Sequence, residues 1–140
     1  MLPLLFAVLL PSFSLAQIPT GPRAMPVDKI EWKSPGSLPP GAEFHALYED
    51  KTTKAVETLV RFKAGYVLPE HRHTQDEVLV VTKGKLAITM NGEETVLSPG
   101  AYAVIPGGTP HSFKVKGMGR CEFVVTMSGP FDILGLSPVK

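Results

Sequence analysis

The chain has 140 residues, 44% hydrophobic and 19% charged, with 14 Lys and Arg against 13 Asp and Glu for a formal net charge of +1. That length suits one domain able to bury a core without cross-links, and the near-neutral balance excludes the basic footprint of a nucleic-acid binder and the make-up of a disordered chain. The lone Cys121 excludes an intrachain disulfide framework and any zinc site built from several thiolates, so metal chemistry would have to use imidazole and carboxylate.

Residues 1–16 carry no charged side chain and hold the apolar run Leu4 to Leu10, ending Ser14-Leu15-Ala16 before Gln17. The run is shorter than the roughly 20 apolar residues that span a bilayer, and small residues sit where signal peptidase needs them. A signal peptide cleaved after Ala16 is expected, with a secreted or periplasmic product and no stable membrane anchor after cleavage. Pro3 and Pro11 interrupt helical periodicity and argue against a retained N-terminal helix.

Residues 17–41 hold Pro19, Pro22, Pro26, Pro35, Pro39 and Pro40 with Gly21, Gly36 and Gly41, which makes an extended arm rather than a domain. Within it, Ile30-Glu31-Trp32-Lys33 alternates apolar and charged residues, so a short strand docking Trp32 onto the body is expected.

Residues 42–128 show period-two patterning in short runs separated by turn residues, the pattern of an all-β sandwich or barrel. Eight strands are predicted: Phe44–Tyr48, Val56–Phe62, Glu77–Thr82, Lys85–Met90, Glu94–Leu97, Ala101–Ile105, His111–Val115 and Cys121–Met127. Eight strands suit a jelly roll. Asn91-Gly92 reads as a tight hairpin turn, and Lys83-Gly84 offers the same freedom of φ between two strands. The apolar tail, residues 129–140, is expected to pack on the barrel or on a partner subunit.

The chemistry lies between Gly65 and His111. His71 and His73 are two apart, so on an extended backbone both side chains leave the same face. Glu77 follows, continued at the same parity by Leu79 and Val81; His111 is likewise continued by Phe113 and Val115. Each polar residue thus stands at the edge of an apolar face, and three imidazoles and one carboxylate can meet inside a barrel. Such a set suits a divalent transition metal and leaves positions open for substrate or water. Pro69 and the turn Pro106-Gly107-Gly108-Thr109-Pro110 would fix the two ligand-bearing segments. By parity Asp76 and Arg72 should face away from the site. His45 falls outside the constellation, and Cys121 is expected as a small buried hydrophobe.

These residues resemble the cupins. The first cupin motif, G-x5-H-x-H-x3-E-x6-G, is met at Gly65, His71, His73, Glu77 and Gly84. The second, G-x5-P-x-G-x2-H-x3-N, is met at Gly100, Pro106, Gly108 and His111, with Val115 in place of the final Asn. The resemblance implies a single-domain jelly roll, the double-stranded β-helix barrel, with His71, His73, Glu77 and His111 as ligands of one divalent transition metal. Iron or manganese is favoured, with zinc, nickel or copper as alternatives; the missing Asn is not a ligand in the family.

Fold and ligand set are shared in this family by dioxygenases, oxalate-converting enzymes, isomerases, lyases, storage proteins and sensors, so function must be argued from the site. The inward parity places Leu79, Val81 and Phe113 as candidate pocket walls, which favours a small, fairly apolar organic substrate. The expectation is an extracytoplasmic metalloenzyme, oxidoreductase or dioxygenase-like, with Glu77 the best candidate for a catalytic role. The alternative is a non-catalytic periplasmic metal or small-ligand binding module. A homodimer through exposed strand edges is expected, and no nucleic-acid partner.

Overall fold

The computed structural model describes residue 18 and residues 20–136. The signal peptide expected over residues 1–16 lies outside the described residues.

Among the described residues, nine strands form two antiparallel sheets. They are β1 (Ala42–Glu49), β2 (Val56–Phe62), β3 (Val67–His71), β4 (Glu77–Lys83), β5 (Lys85–Met90), β6 (Glu93–Leu97), β7 (Tyr102–Ile105), β8 (His111–Lys116) and β9 (Cys121–Met127). The first sheet runs β1-β2-β9-β4-β7 and the second β3-β8-β5-β6. The fold class is all-β, a jelly roll, as the patterning predicts.

Alternation explains why the sheets face each other. Along β4, Glu77, Leu79 and Val81 are buried while Val78, Val80 and Thr82 are exposed, and in β9 the buried set is Cys121, Phe123, Val125 and Met127. The inner faces meet around Phe62, Tyr66, Phe113 and Phe123, with the Phe62 ring 4.4 Å from Tyr66 and 5.1 Å from Phe123. Each such aromatic side chain contributes about 1.5–3 kcal/mol through burial. Tyr66 donates its hydroxyl to the Pro39 carbonyl at 2.9 Å, which fastens the arm, and burial pushes its phenol up to about 12. Cys121 is fully buried and its thiol pushed up to about 11, by burial and then by Glu122, so it packs as a hydrophobe.

Two sequence expectations are adjusted, at β3 and at the arm. Strand β3 escapes period-two patterning because the register slips between Leu68 and His71, which leaves Pro69 and Glu70 both exposed. Proline has no N–H to offer a ladder, and a bulge is one place a strand accepts it. Lys83-Gly84 supplies the expected freedom of φ between two strands, β4 in the first sheet and β5 in the second. There the chain crosses between layers with Gly84 at φ +76. Asn91-Gly92, at φ 52 and 77, does close the β5–β6 hairpin. Finally, the arm forms a single bridge, Lys33 to Phe44, rather than a strand. The next donor in that ladder would be Pro35, which has none. Trp32 is half-buried beneath the Arg61 guanidinium, 4.2 Å from the ring centre. His45 steadies the same arm through its Nδ1, 2.9 Å from the Glu31 carbonyl.

Candidate metal centre

Among the described residues, four polar or charged side chains are buried: His71, His73, Glu77 and His111. Burying such groups costs free energy unless each finds a partner. They share one end of the barrel. His71 closes β3 and pairs in register with His111, which opens β8. Glu77 opens β4, opposite Ile105 and Met127 at the ends of β7 and β9. His73 follows β3 two residues after His71, and the residue between them, Arg72, is exposed.

The hydrogen bonds of the rings decide what they can do. His71 Nδ1 lies 2.8 Å from the Pro69 carbonyl, His111 Nδ1 2.9 Å from the Thr109 carbonyl and His73 Nδ1 2.5 Å from the Asp132 carbonyl. A carbonyl only accepts, so all three Nδ1 atoms carry hydrogen and a neutral ring is left with a bare lone pair on Nε2. The three imidazoles each offer a ligand nitrogen, all within 4.8 Å of one another. Glu77 Oε2 approaches to 2.9 Å from His73 Nε2 and 3.4 Å from His111 Nε2. Even so, Oε2 and His111 Nε2 are buried without a hydrogen bond. Nitrogen lone pairs facing a carboxylate repel unless a cation lies between them, so the donor set fits a metal ion.

Protonation follows from the same contacts. Burial pulls His71 down to about 4, so it is neutral at physiological pH. Burial alone would raise Glu77, but the His111 and His73 rings, when they carry a proton on Nε2, outweigh it and hold the carboxyl at about 2. At His73 burial also favours the neutral ring, yet the Glu77 carboxylate beside it wins and raises the pKa above the ordinary 6.5. Without metal, a proton shared by His73 and Glu77 is the cation that relieves the cluster. Metal uptake must expel that proton, so affinity should fall as pH drops, beginning above 6.5, by about tenfold per pH unit where one proton competes. Chelator competition between pH 8 and 5 measures this, and a flat profile would contradict it.

The surrounding loops hold the ligands in place. Gly108 N–H donates to the His73 carbonyl at 2.8 Å and Gly107 N–H to the Asp76 carboxylate at 2.7 Å. Asp76 is therefore exposed and engaged away from the cluster, as parity predicts. Phe113 stands beneath the imidazoles, its ring centre 5.2 Å from His111 and 5.8 Å from His71. Leu79 and Val81 are packed deeper in the core, at 0% and 1% exposure.

Four residues of the site, Thr74, Phe131, Asp132 and Leu134, escape a reading of the sequence. The tail folds back along the end of β3: Arg72 and Leu134 exchange two main-chain hydrogen bonds of 3.0 and 2.9 Å. The Asp132 carboxylate accepts from the Thr74 N–H at 2.8 Å and from the Thr74 hydroxyl. Phe131, half-exposed, places its ring 5.7 Å from His73. The one available signal was Asp132 itself, a lone acid in the apolar stretch from Gly129 to Val139.

Known proteins resemble this chain in both sequence and fold. DNA damage-repair/toleration protein DRT102 of Arabidopsis thaliana is 36% identical over 102 residues, covering 71% of this chain and 31% of that protein. Quercetin 2,3-dioxygenase of Bacillus subtilis is 39% identical over 64 residues, covering 46% and 19%. The chain thus spans less than a third of either curated relative. Among solved structures, the polyketide cyclase RemF of Streptomyces resistomycificus superposes with a TM-score of 0.69 at 18% identity, over 86% of this chain and 89% of that one, a likeness of fold. The family model Cupin_2, the cupin domain, matches residues 58–127, half of the chain and all four buried polar side chains, and the chain belongs to the cupins.

Proposed function

We propose that this protein is a metal-dependent cupin enzyme, an oxidoreductase of dioxygenase type, acting on a small, fairly apolar organic molecule. The carrying observation is the cluster of three Nδ1-pinned imidazoles whose Nε2 atoms converge beside an orphaned Glu77 oxygen. His71, His73, His111 and Glu77 would hold one divalent ion, with iron or manganese suited to the mixed imidazole and carboxylate set. Such an ion supplies Lewis-acid or redox chemistry at the positions the protein leaves open.

The remaining work falls to the chain itself. Glu77, ionised down to about pH 2 in the metal-free cluster, is the one buried carboxylate among the described residues. It is the group at hand to balance the ion's charge or take a proton from a substrate hydroxyl. Phe113 below and Phe131 at the mouth offer aromatic faces to an apolar substrate. The likeness to quercetin 2,3-dioxygenase supports oxygen-dependent chemistry on an aromatic, hydroxylated compound. We further propose that residues 1–16 export the protein.

One observation favours a second reading, a non-catalytic metal or ligand carrier: the four donors are only 1–5% exposed, as in a closed site. Azide separates the two. An enzyme site with open positions should change its metal spectrum on azide addition, and the iron- or manganese-loaded protein should consume oxygen with small phenolic substrates, a rate that Glu77→Ala lowers at least about 100-fold. An azide-silent metal with no oxygen uptake would leave the carrier standing.

A further inference from the structure

His71 and His111 each find the carbonyl for Nδ1 two residues back in their own segment, at Pro69 and Thr109. His73 does not. Its carbonyl belongs to Asp132, 59 residues away, in a stretch that forms no regular strand. The orientation of one of the three imidazoles thus depends on where the C-terminal segment is laid down.

That segment is laid down by the ligand-bearing loop itself. Three consecutive residues bond to it: the Arg72 main chain to Leu134, the His73 ring to the Asp132 carbonyl, and the Thr74 N–H and hydroxyl to the Asp132 carboxylate. Asp132 therefore holds His73 with its main chain and the next residue with its side chain. Ile133 and Leu136 press the same segment onto the core.

We propose that residues 130–134 form a strap belonging to the metal centre, in which Asp132 is a positioning residue that holds the His73 ring in the orientation and tautomer the ion requires. The inference rests on the metal-binding reading above. It assigns the segment a function its apolar composition does not suggest: the strap is the part of the site supplied last by the chain. Groups that hydrogen-bond a metal-ligating histidine from behind typically change metal affinity 10- to 100-fold when removed. The Asp132 carbonyl survives any side-chain substitution, so losing the carboxylate should loosen the bond to His73 rather than abolish it, with an effect towards the lower end of that range.

The test uses the full-length protein loaded with cobalt(II), whose visible bands report ligand geometry, together with chelator competition for affinity. Asp132→Ala should weaken cobalt binding about tenfold and shift the bands. Asp132→Asn should restore both, because the amide oxygen still accepts from the Thr74 N–H. A merely structural role would lower the melting temperature of the metal-free protein without moving the spectrum. Should Asp132→Ala not fold, Thr74→Val removes the hydroxyl side of the same contact and should weaken binding in the same sense. Unchanged affinity and spectrum in the variants that fold would overturn the proposal, as would equal losses in Asp132→Ala and Asp132→Asn, which would make charge the agent. A wild-type protein that takes up no cobalt would remove the metal-binding reading and this inference with it.

Discussion

Purified without a His-tag, the wild-type protein is expected to hold close to one divalent metal ion per chain, and the His71→Ala/His111→Ala variant essentially none. Elemental analysis beside a protein assay reads the result. The effect should be large because the two rings are removed from a constellation with no spare donors. Among the described residues, His71, His73 and His111 form the one group of three whose nitrogens lie within 4.8 Å, and the variant leaves one imidazole and Glu77. Removing groups behind a ligand already costs about 10- to 100-fold in affinity, so deleting two ligands should exceed that range. The variant should fold, since the rings sit at the barrel end beside the core rather than in its centre, and circular dichroism checks this. Iron or manganese in the wild type would support the oxidoreductase reading; stoichiometric zinc would move weight to hydrolytic, isomerising or sensing roles. If wild type and variant are equally metal-free after reconstitution, the metal reading fails.

How much of this was legible in advance depended on how local each feature is. The alternation of Glu77, Leu79 and Val81, and of His111, Phe113 and Val115, places polar residues at the mouth and apolar ones in the core, and the structure buries all six. Strand β3 was hidden because a bulge at Pro69 breaks the period on which strand prediction depends. The same bulge leaves the Pro69 carbonyl facing the His71 ring. Turn chemistry reports local φ, as Gly84 at φ +76 between β4 and β5 shows, and cannot say whether the strands on either side share a sheet. The contact of Asp132 with His73 and Thr74 joins residues almost 60 positions apart, and no periodicity reaches that far. Sequence spacing therefore located the ligands, while the groups that orient them came into view only with the fold.

Two glycine substitutions should separate fold from site in the same way. A Cβ at Gly84 would lie 2.4 Å from the Arg120 carbonyl oxygen, and at Gly107 2.3 Å from the Thr74 carbonyl oxygen, distances at which one partner must move. Their surroundings differ. Gly84 has φ +76, where an L side chain adds about 1–2 kcal/mol of backbone strain. The second obstacle there is the Cα of the fully buried Cys121, 3.0 Å away. With positive φ and two main-chain obstacles together, Gly84→Ala should cost about 3 kcal/mol or more and lower the melting temperature by on the order of 10 °C or more. Gly107 is not in the left-handed region, and Thr74 lies in an exposed loop that can shift. Yet Thr74 follows His73 and carries both hydrogen bonds to Asp132, and Gly108, the neighbour of Gly107, bonds to the His73 carbonyl. Gly107→Ala should therefore fold with a modest loss of stability while metal affinity drops at least about tenfold through displacement of His73. Thermal melts and chelator competition on the two variants decide the matter. A Gly107→Ala protein that binds metal as the wild type does would mean that the loop tolerates the displacement without moving His73, and that the second motif's turn serves the fold alone.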